Sequence, residues 1–203
     1  MSILLFEPPG CVFIRVRKTG STSVVRGLFG GRDRAVLATA DGRWDPRFDG
    51  RPTAAFVRNP FDRLVSCLRM FQDYAVATRD EEALRSRLDL AALMDAIEDD
   101  AIPLDRDAYL SKLRLHALPM THRFYCLDRA GFVGRFERFE RDYRALAAAL
   151  GLPAAAVPHE RRRAPVDYRR WYSPPLRSRA ESLLRQDLAT FGYRFDAEPA
   201  GSG

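Results

Sequence analysis

Seven consecutive residues, Arg17-Lys18-Thr19-Gly20-Ser21-Thr22-Ser23, hold the densest group of anion-binding chemistry in the first part of the chain. They follow the β-branched and aromatic run Cys11–Val16. They precede Val24, Val25, Leu28 and Phe29 at helical spacing, with Gly30-Gly31 as the stop. A strand, a small-residue turn and a helix in that order present several backbone N–H groups in one direction, and the positive end of the helix dipole adds to them. Gly20, lacking a Cβ, would let a phosphate approach the backbone closely, and Ser21, Thr22 and Ser23 add hydroxyl donors. Lys18 and Lys112 are the two lysines in a chain whose other strongly basic residues are all arginines, which suits Lys18 to a point-charge role. A run of Ser and Thr at a helix start is also an ordinary cap. The turn is not a full Walker A loop either: that pattern places lysine after its second glycine, whereas Lys18 precedes Gly20.

A second constellation is Arg58-Asn59-Pro60-Phe61-Asp62-Arg63-Leu64-Val65-Ser66. Arg58 ends an apolar run, at the strand edge where α/β sheets bind ligands. Its guanidinium can fork two donors onto a phosphate, and Ser66 on the following helix can add a hydroxyl. Arg63, three residues before Ser66, can share its helix face. The plain alternative is a solvated helix with ordinary ion pairs around Asp62. No aspartate ends the strand before Arg58, so the usual magnesium-binding arrangement of a nucleotide kinase is missing.

The elements that must position these residues follow from the hydrophobic pattern. Cys11–Val16 and Thr53–Val57 read as strands, and 32–53 reads as a loop. Asn59-Pro60 opens a helix lined by Phe61, Leu64, Val65, Leu68, Met70 and Phe71. One or two helices occupy 80–99, with Leu90, Leu93, Met94 and Ile97 as the apolar stripe. Tyr109–Leu118 is helical up to Pro119, and Phe124–Leu127 and Phe132–Phe136 read as short strands. Glu137–Leu150 is a helix stopped by Gly151, and a last helix runs from Ser173-Pro174 to Phe191 before Gly192. Alternating strands and helices imply an α/β fold, a P-loop-like and mainly parallel sheet flanked by helices. Residues 1–197 are expected to form a single domain and 198–203 a disordered tail.

The chain has 203 residues and a net charge of +6. That excess favours anionic partners such as nucleotides, sulfated or acidic glycans, or nucleic acid. The arginines are dispersed, and no zinc-finger or RNP-like motif is present, which argues against a nucleic-acid module. Cys11, Cys67 and Cys126 stand far apart with no Cys/His cluster, so neither a structural metal nor a disulfide scaffold is expected, and a reducing compartment fits. No apolar stretch is long enough to span a bilayer, and the opening MSILLFEPPG lacks the basic start and long apolar core of a signal peptide. A soluble, cytoplasmic protein without a transmembrane segment is the expectation.

Taken together, the two constellations suggest a ligand with two separated phosphates, and the chain resembles sulfotransferases that use 3′-phosphoadenosine 5′-phosphosulfate (PAPS), of the carbohydrate-sulfotransferase-like group. That family's PKTGSTS loop binds the 5′-phosphosulfate; this chain has RKTGSTS, so Lys18 to Ser23 match and Arg17 departs from proline. The family's RxPxxRxxS motif binds the 3′-phosphate, and Arg58, Pro60, Arg63 and Ser66 match it. His116-Ala117-Leu118-Pro119-Met120-Thr121, ahead of Val133-Gly134-Arg135-Phe136-Glu137, is similar to the family's HxxPQT and VGRFE segments, with Met120 in place of glutamine. Asp142, Gly151 and the ending at 187–195 also fit, so the resemblance runs from about residue 12 to 195.

The resemblance implies sulfuryl transfer from PAPS to an acceptor hydroxyl, on a carbohydrate or glycolipid as the first choice with a small metabolite or a peptide tyrosine also open, and with no metal. It assigns Lys18 to catalysis and to cofactor binding, together with Thr19, Gly20, Ser21, Thr22, Ser23, Arg58 and Ser66. Arg162, in the Arg161–Arg163 run, sits where relatives have a basic loop over the nucleotide, which suits a lid over PAPS, an acidic-glycan contact or a solvated charge run. The base is open: His116 is the first choice, His122 and His159 are the other histidines, and Asp41, Asp45 and Glu137 are carboxylate alternatives. Trp44, Trp171 and Tyr172 suit stacking on adenine or sugar, or core packing. A P-loop nucleotide kinase, a non-catalytic PAPS binder and a nucleic-acid module are the competing readings.

Overall fold

The computed structural model describes residues 3–39, 42–104, 108–153 and 166–196. Among the described residues there are five strands, β1 (Ile3–Phe6), β2 (Cys11–Ile14), β3 (Leu37–Thr39), β4 (Thr53–Val57) and β5 (Phe132–Arg135), and eight α-helices. These are α1 (Ser21–Phe29), α2 (Pro60–Gln72), α3 (Arg79–Ser86), α4 (Leu90–Glu98), α5 (Tyr109–Ala117), α6 (Phe139–Ala149), α7 (Pro174–Leu183) and α8 (Arg185–Phe191). The described residues fall into two compact units, one from 3–58 and 120–153, the other from 59–119 and 166–196. Asp41, His159, Arg161–Arg163 and the tail 198–203 lie outside the described residues.

The first unit contains the sheet, in the order β3-β1-β2-β4-β5. It is mixed rather than mainly parallel: β2–β4 and β4–β5 run parallel, but β1 is antiparallel to both β2 and β3. The connection from β1 to β2 is only Glu7 to Gly10, too short for the crossover that parallel strands require. Gly10 closes it in the left-handed region, with its N–H donating to the Phe6 carbonyl at 2.8 Å. The fully buried run of β1 and the short β3 inside 32–53 escape a pattern reading, because four and three residues carry too little periodicity.

Side chains from both the sheet and its helices build the core of this unit. Phe6 stacks on Phe29 of α1 with ring centroids 4.2 Å apart. Val24 and Val25 of α1, and Tyr143 and Leu146 of α6, join Phe13 and Phe56 in the same cluster. On the edge strand β5, Gly134 pairs with Phe56. A Cβ there would stand 2.6 Å from the Phe56 ring, so glycine is required for the ring to lie across the strand. Phe124–Leu127 is not a strand: two 3₁₀ turns, Arg123–Tyr125 and Leu127–Arg129, meet at Cys126, whose φ is 53°. The His122 ring caps the first of them, Nδ1 accepting from the Phe124 N–H at 3.2 Å.

The second unit is helical. Asn59 caps α2 by accepting from the Phe61 N–H at 3.0 Å, and Pro60 takes the first helical position. Its side-chain amide also donates to the Tyr168 hydroxyl and the Arg194 carbonyl. Phe61 lies among Tyr168, Tyr172 and Phe195. Tyr172 donates to the Phe61 carbonyl at 3.0 Å, and burial drives its phenol pKa far up, so it is a packing residue. The expected last helix is divided at Leu184 into α7 and α8, and Gly192 ends it in the left-handed region as read. Arg63 is 0% exposed. Its guanidinium donates to the carbonyls of His116 (3.1 Å), Ala117 (3.0 Å) and Leu118 at the C-terminus of α5. The arginine thus satisfies the acceptors that a helix end leaves open.

Two stability changes follow from these burials. Tyr143 is 0% exposed, and its hydroxyl has no hydrogen-bond partner among the described residues. Tyr143→Phe removes an unsatisfied polar group and keeps the ring. It is expected to raise stability by about 1 kcal/mol, or ~2–4 °C in Tm, measured by calorimetry; an unchanged or lower Tm contradicts this. Arg63→Ala strands buried carbonyls and opens a cavity, so urea denaturation is expected to show a loss of about 3–5 kcal/mol. A loss within ~1 kcal/mol would mean that α5 ends without help from Arg63.

Candidate functional site

β2 is buried along its whole length and delivers the chain into the turn before α1. Val16 N–H donates to the Ile14 carbonyl at 3.1 Å, and the Thr19 hydroxyl donates back to the Val16 carbonyl at 2.9 Å. Thr19 is 0% exposed, so its hydroxyl hydrogen is committed inside the turn. Lys18 has φ 66°, one of two non-glycine residues with positive φ among the described residues, and Gly20 follows at 79°. Thr19 between them is not in that region, so φ alternates in sign over Lys18, Thr19 and Gly20. Alternation between left- and right-handed residues is the pattern in which successive N–H groups can face one concavity, a backbone arrangement that suits an anion.

Gly20 is also the N-cap of α1; no side chain caps the helix, and its first turn carries no acidic residue. No carboxylate of the helix's own first turn therefore offsets the positive end of its dipole. Ser21 and Ser23 are buried and Thr22 half-buried at this end. The reason for glycine at position 20 differs from the expected close approach of a ligand. A Cβ there would stand 2.6 Å from the Phe139 ring and 3.2 Å from the Phe136 ring, and the backbone needs positive φ. Two aromatic rings, rather than a phosphate, occupy the direction that a side chain would take.

Arg58 follows β4 directly and belongs to this same unit. Its Nη1 donates to the Lys18 carbonyl at 3.3 Å, and its guanidinium carbon lies 4.2 Å from the centre of the Phe136 ring. The structure therefore brings the first residue of the second constellation onto the turn of the first. Arg17, beside Lys18, places its guanidinium 5.5 Å from the Phe124 ring centre. Asp142 of α6 accepts from the Arg135 N–H at 2.8 Å, tying the end of β5 to the helix that supplies Phe139.

Other expected site residues have different surroundings. Ser66 is half-buried on α2, in the second unit, but Arg63 does not join it on a ligand-facing surface, because its guanidinium is directed at the end of α5. His116 sits in the last turn of α5, half-buried, its ring edge-on to Phe71 at 5.3 Å. His116 Nδ1 lies 2.7 Å from the Lys112 carbonyl, which can only accept; Nδ1 therefore carries the hydrogen and Nε2 is the basic nitrogen. Asp45 accepts from the Arg47 backbone and guanidinium, and these bonds pull its carboxyl down to about 2, which makes it a poor proton acceptor. Glu137 lies half-buried in a 3₁₀ turn between β5 and α6. Trp44 donates to Asp49 at 2.8 Å and lies under the Arg129 guanidinium at 4.7 Å.

Sequence reasoning missed Phe136 and Phe139 as neighbours of the turn. The available signal was position: Phe136 and Arg58 each follow directly on the last residue of their strand.

The sulfotransferase family model matches residues 51–194, more than two-thirds of the chain. The match takes in Arg58, Ser66, His116 and Phe136 and begins after the Lys18–Ser23 turn. No curated protein and no solved structure matches the chain. With Arg58 and the segment through Phe136 inside the matched region, the chain belongs to the sulfotransferase family.

Proposed function

We propose that the protein transfers a sulfuryl group from PAPS to an acceptor hydroxyl on a carbohydrate or glycolipid. The observation that carries the donor assignment is the turn of alternating φ at Lys18, Thr19 and Gly20, at a helix start without acidic residues, with Arg58 held on the Lys18 carbonyl. Both features suit an anionic group, and the resemblance of RKTGSTS to the family's 5′-phosphosulfate loop gives that anion a name.

In this reading, PAPS supplies the activated sulfuryl group, linked through oxygen to its 5′-phosphate. The backbone of Thr19 to Ser23 holds that phosphate, and Arg58 and Ser66 hold the 3′-phosphate. The acceptor oxygen bonds to sulfur while the bond from sulfur to the phosphate oxygen breaks. The electron pair of that bond leaves with adenosine 3′,5′-bisphosphate. Lys18 neutralises the charge that grows on the leaving oxygen, where a positioned cation stabilises the transition state most. His116 takes the acceptor proton on Nε2; its Nδ1–H bond to Lys112 supports this choice over His122, whose Nδ1 is a cap acceptor. The donor-binding end, rather than the acceptor end, has residues that suit a stated group. A cytoplasmic setting is part of the proposal, on the widely spaced cysteines.

Lys18→Ala is expected to lower kcat with PAPS by about a hundredfold or more while weakening nucleotide binding by less than ~10-fold. Equal kcat in mutant and wild type would remove Lys18 from the chemistry. Calorimetry with adenosine 3′,5′-bisphosphate, ADP and AMP is expected to show preference for the 3′-phosphorylated nucleotide, and Arg58→Ala to abolish that preference. Equal binding of ADP by the wild type would refute the assignment of the second motif. His116→Gln is expected to cost about 10²-fold or more in kcat at unchanged nucleotide affinity, read in an acceptor screen against glycans and glycolipids.

A further inference from the structure

Phe136 is the residue after β5, and Arg58 is the residue after β4. The two strands are parallel and pair Val57 with Arg135, so Phe136 and Arg58 leave the same sheet edge side by side. The Arg58 guanidinium lies over the Phe136 ring at 4.2 Å, and its Nη1 donates to the Lys18 carbonyl at 3.3 Å. The same ring also borders Gly20, 3.2 Å from the place where a Cβ would be. One side chain thus touches the arginine of one motif and the glycine of the other.

We propose that Phe136 is a positioning residue for donor binding, holding the Arg58 guanidinium against the Lys18 carbonyl and so maintaining the left-handed turn. This rests on the donor reading given above and adds a residue to it. An arginine side chain has many rotamers, and a ligand that fixes it must offset that lost freedom. An aromatic face attracts the cation electrostatically and fixes its place before a ligand arrives. The hydrogen bond from Arg58 in turn holds a carbonyl whose residue, Lys18, has a side chain in a backbone region that disfavours one. Phe139, 2.6 Å from the same Cβ direction, completes the wall behind Gly20. The ring therefore acts on both phosphate-binding motifs through contacts with protein atoms alone.

Phe136→Leu and Phe136→Tyr separate this role from simple packing. Leucine fills space beside Gly20 but has no π face; tyrosine keeps the face. Titration calorimetry with adenosine 3′,5′-bisphosphate, with Tm recorded for each variant, is expected to show about fivefold weaker binding for Phe136→Leu and near wild-type binding for Phe136→Tyr. In an Arg58→Ala background, Phe136→Leu should weaken binding no further, because its effect passes through Arg58. Wild-type affinity in Phe136→Leu, or an equal loss with and without Arg58, would overturn the role of Phe136 and leave the donor reading standing. A wild-type protein that does not bind adenosine 3′,5′-bisphosphate would overturn the donor reading and this role together.

Discussion

The Lys18 carbonyl is the atom on which the turn proposed to bind the donor depends. Lys18 holds φ at 66°, a conformation in which a Cβ crowds the carbonyl oxygen and which costs roughly 1–2 kcal/mol. Nothing in the local sequence requires a lysine to adopt it. The hydrogen bond from Arg58, forty residues on in the chain, gives that carbonyl a charged donor. At 3.3 Å the bond is longer than the strongest charge-assisted bonds, but it gives the strained residue a charged partner from another part of the chain. The unusual backbone and the long-range bond are thus one feature.

The sheet explains how a residue so distant in sequence reaches that carbonyl. Parallel pairing of β2 with β4 and of β4 with β5 puts the ends of all three strands at one edge. From that edge β2 leads into the turn, β4 into Arg58 and β5 into Phe136. β1, antiparallel to β2, adds width on the other side of β2 and leads away from this edge. Glycines let the aromatic rings close the arrangement: Gly134 lies under Phe56, and Gly20 faces Phe136 and Phe139. The constraints on these glycines come from rings, so they would hold in a protein with no ligand at all.

This division sets what the chain could reveal before its structure. The turn at Lys18–Ser23, β4, the start of α2 at Asn59-Pro60 and the helix stops at Gly30, Gly151 and Gly192 were all legible, because each rests on local chemistry: small residues, a proline at N1, a glycine with positive φ. β1 and β3 were not, since their pairing is decided by partners and not by their own few residues. Arg63 was misread for a related reason. Its place in a phosphate-like motif was visible, but its three carbonyl acceptors belong to α5, more than fifty residues away. Thr19 shows the same limit on a smaller scale: a hydroxyl in a donor-rich turn turned back on Val16.

The arginine excess can now be divided by what the side chains do. Arg63 and Arg114 are interior residues; Arg114 donates to the Ile97 and Ile102 carbonyls and pairs with Asp100. Arg179 bridges Asp95 and Glu98, Arg177 meets Glu181 and Asp196, and Arg144 pairs with Glu140. Each of these has a structural task or a carboxylate close by, so abundance of arginine is not by itself a sign of a nucleic-acid surface. The charge that matters for the proposed chemistry is local. It is a lysine before a helix whose first turn carries no acidic residue, beside an arginine fixed on an aromatic face, where the helix dipole points the same way. A compact ammonium suits that place, since a planar guanidinium already occupies the adjoining position and spreads its charge over a wider fork.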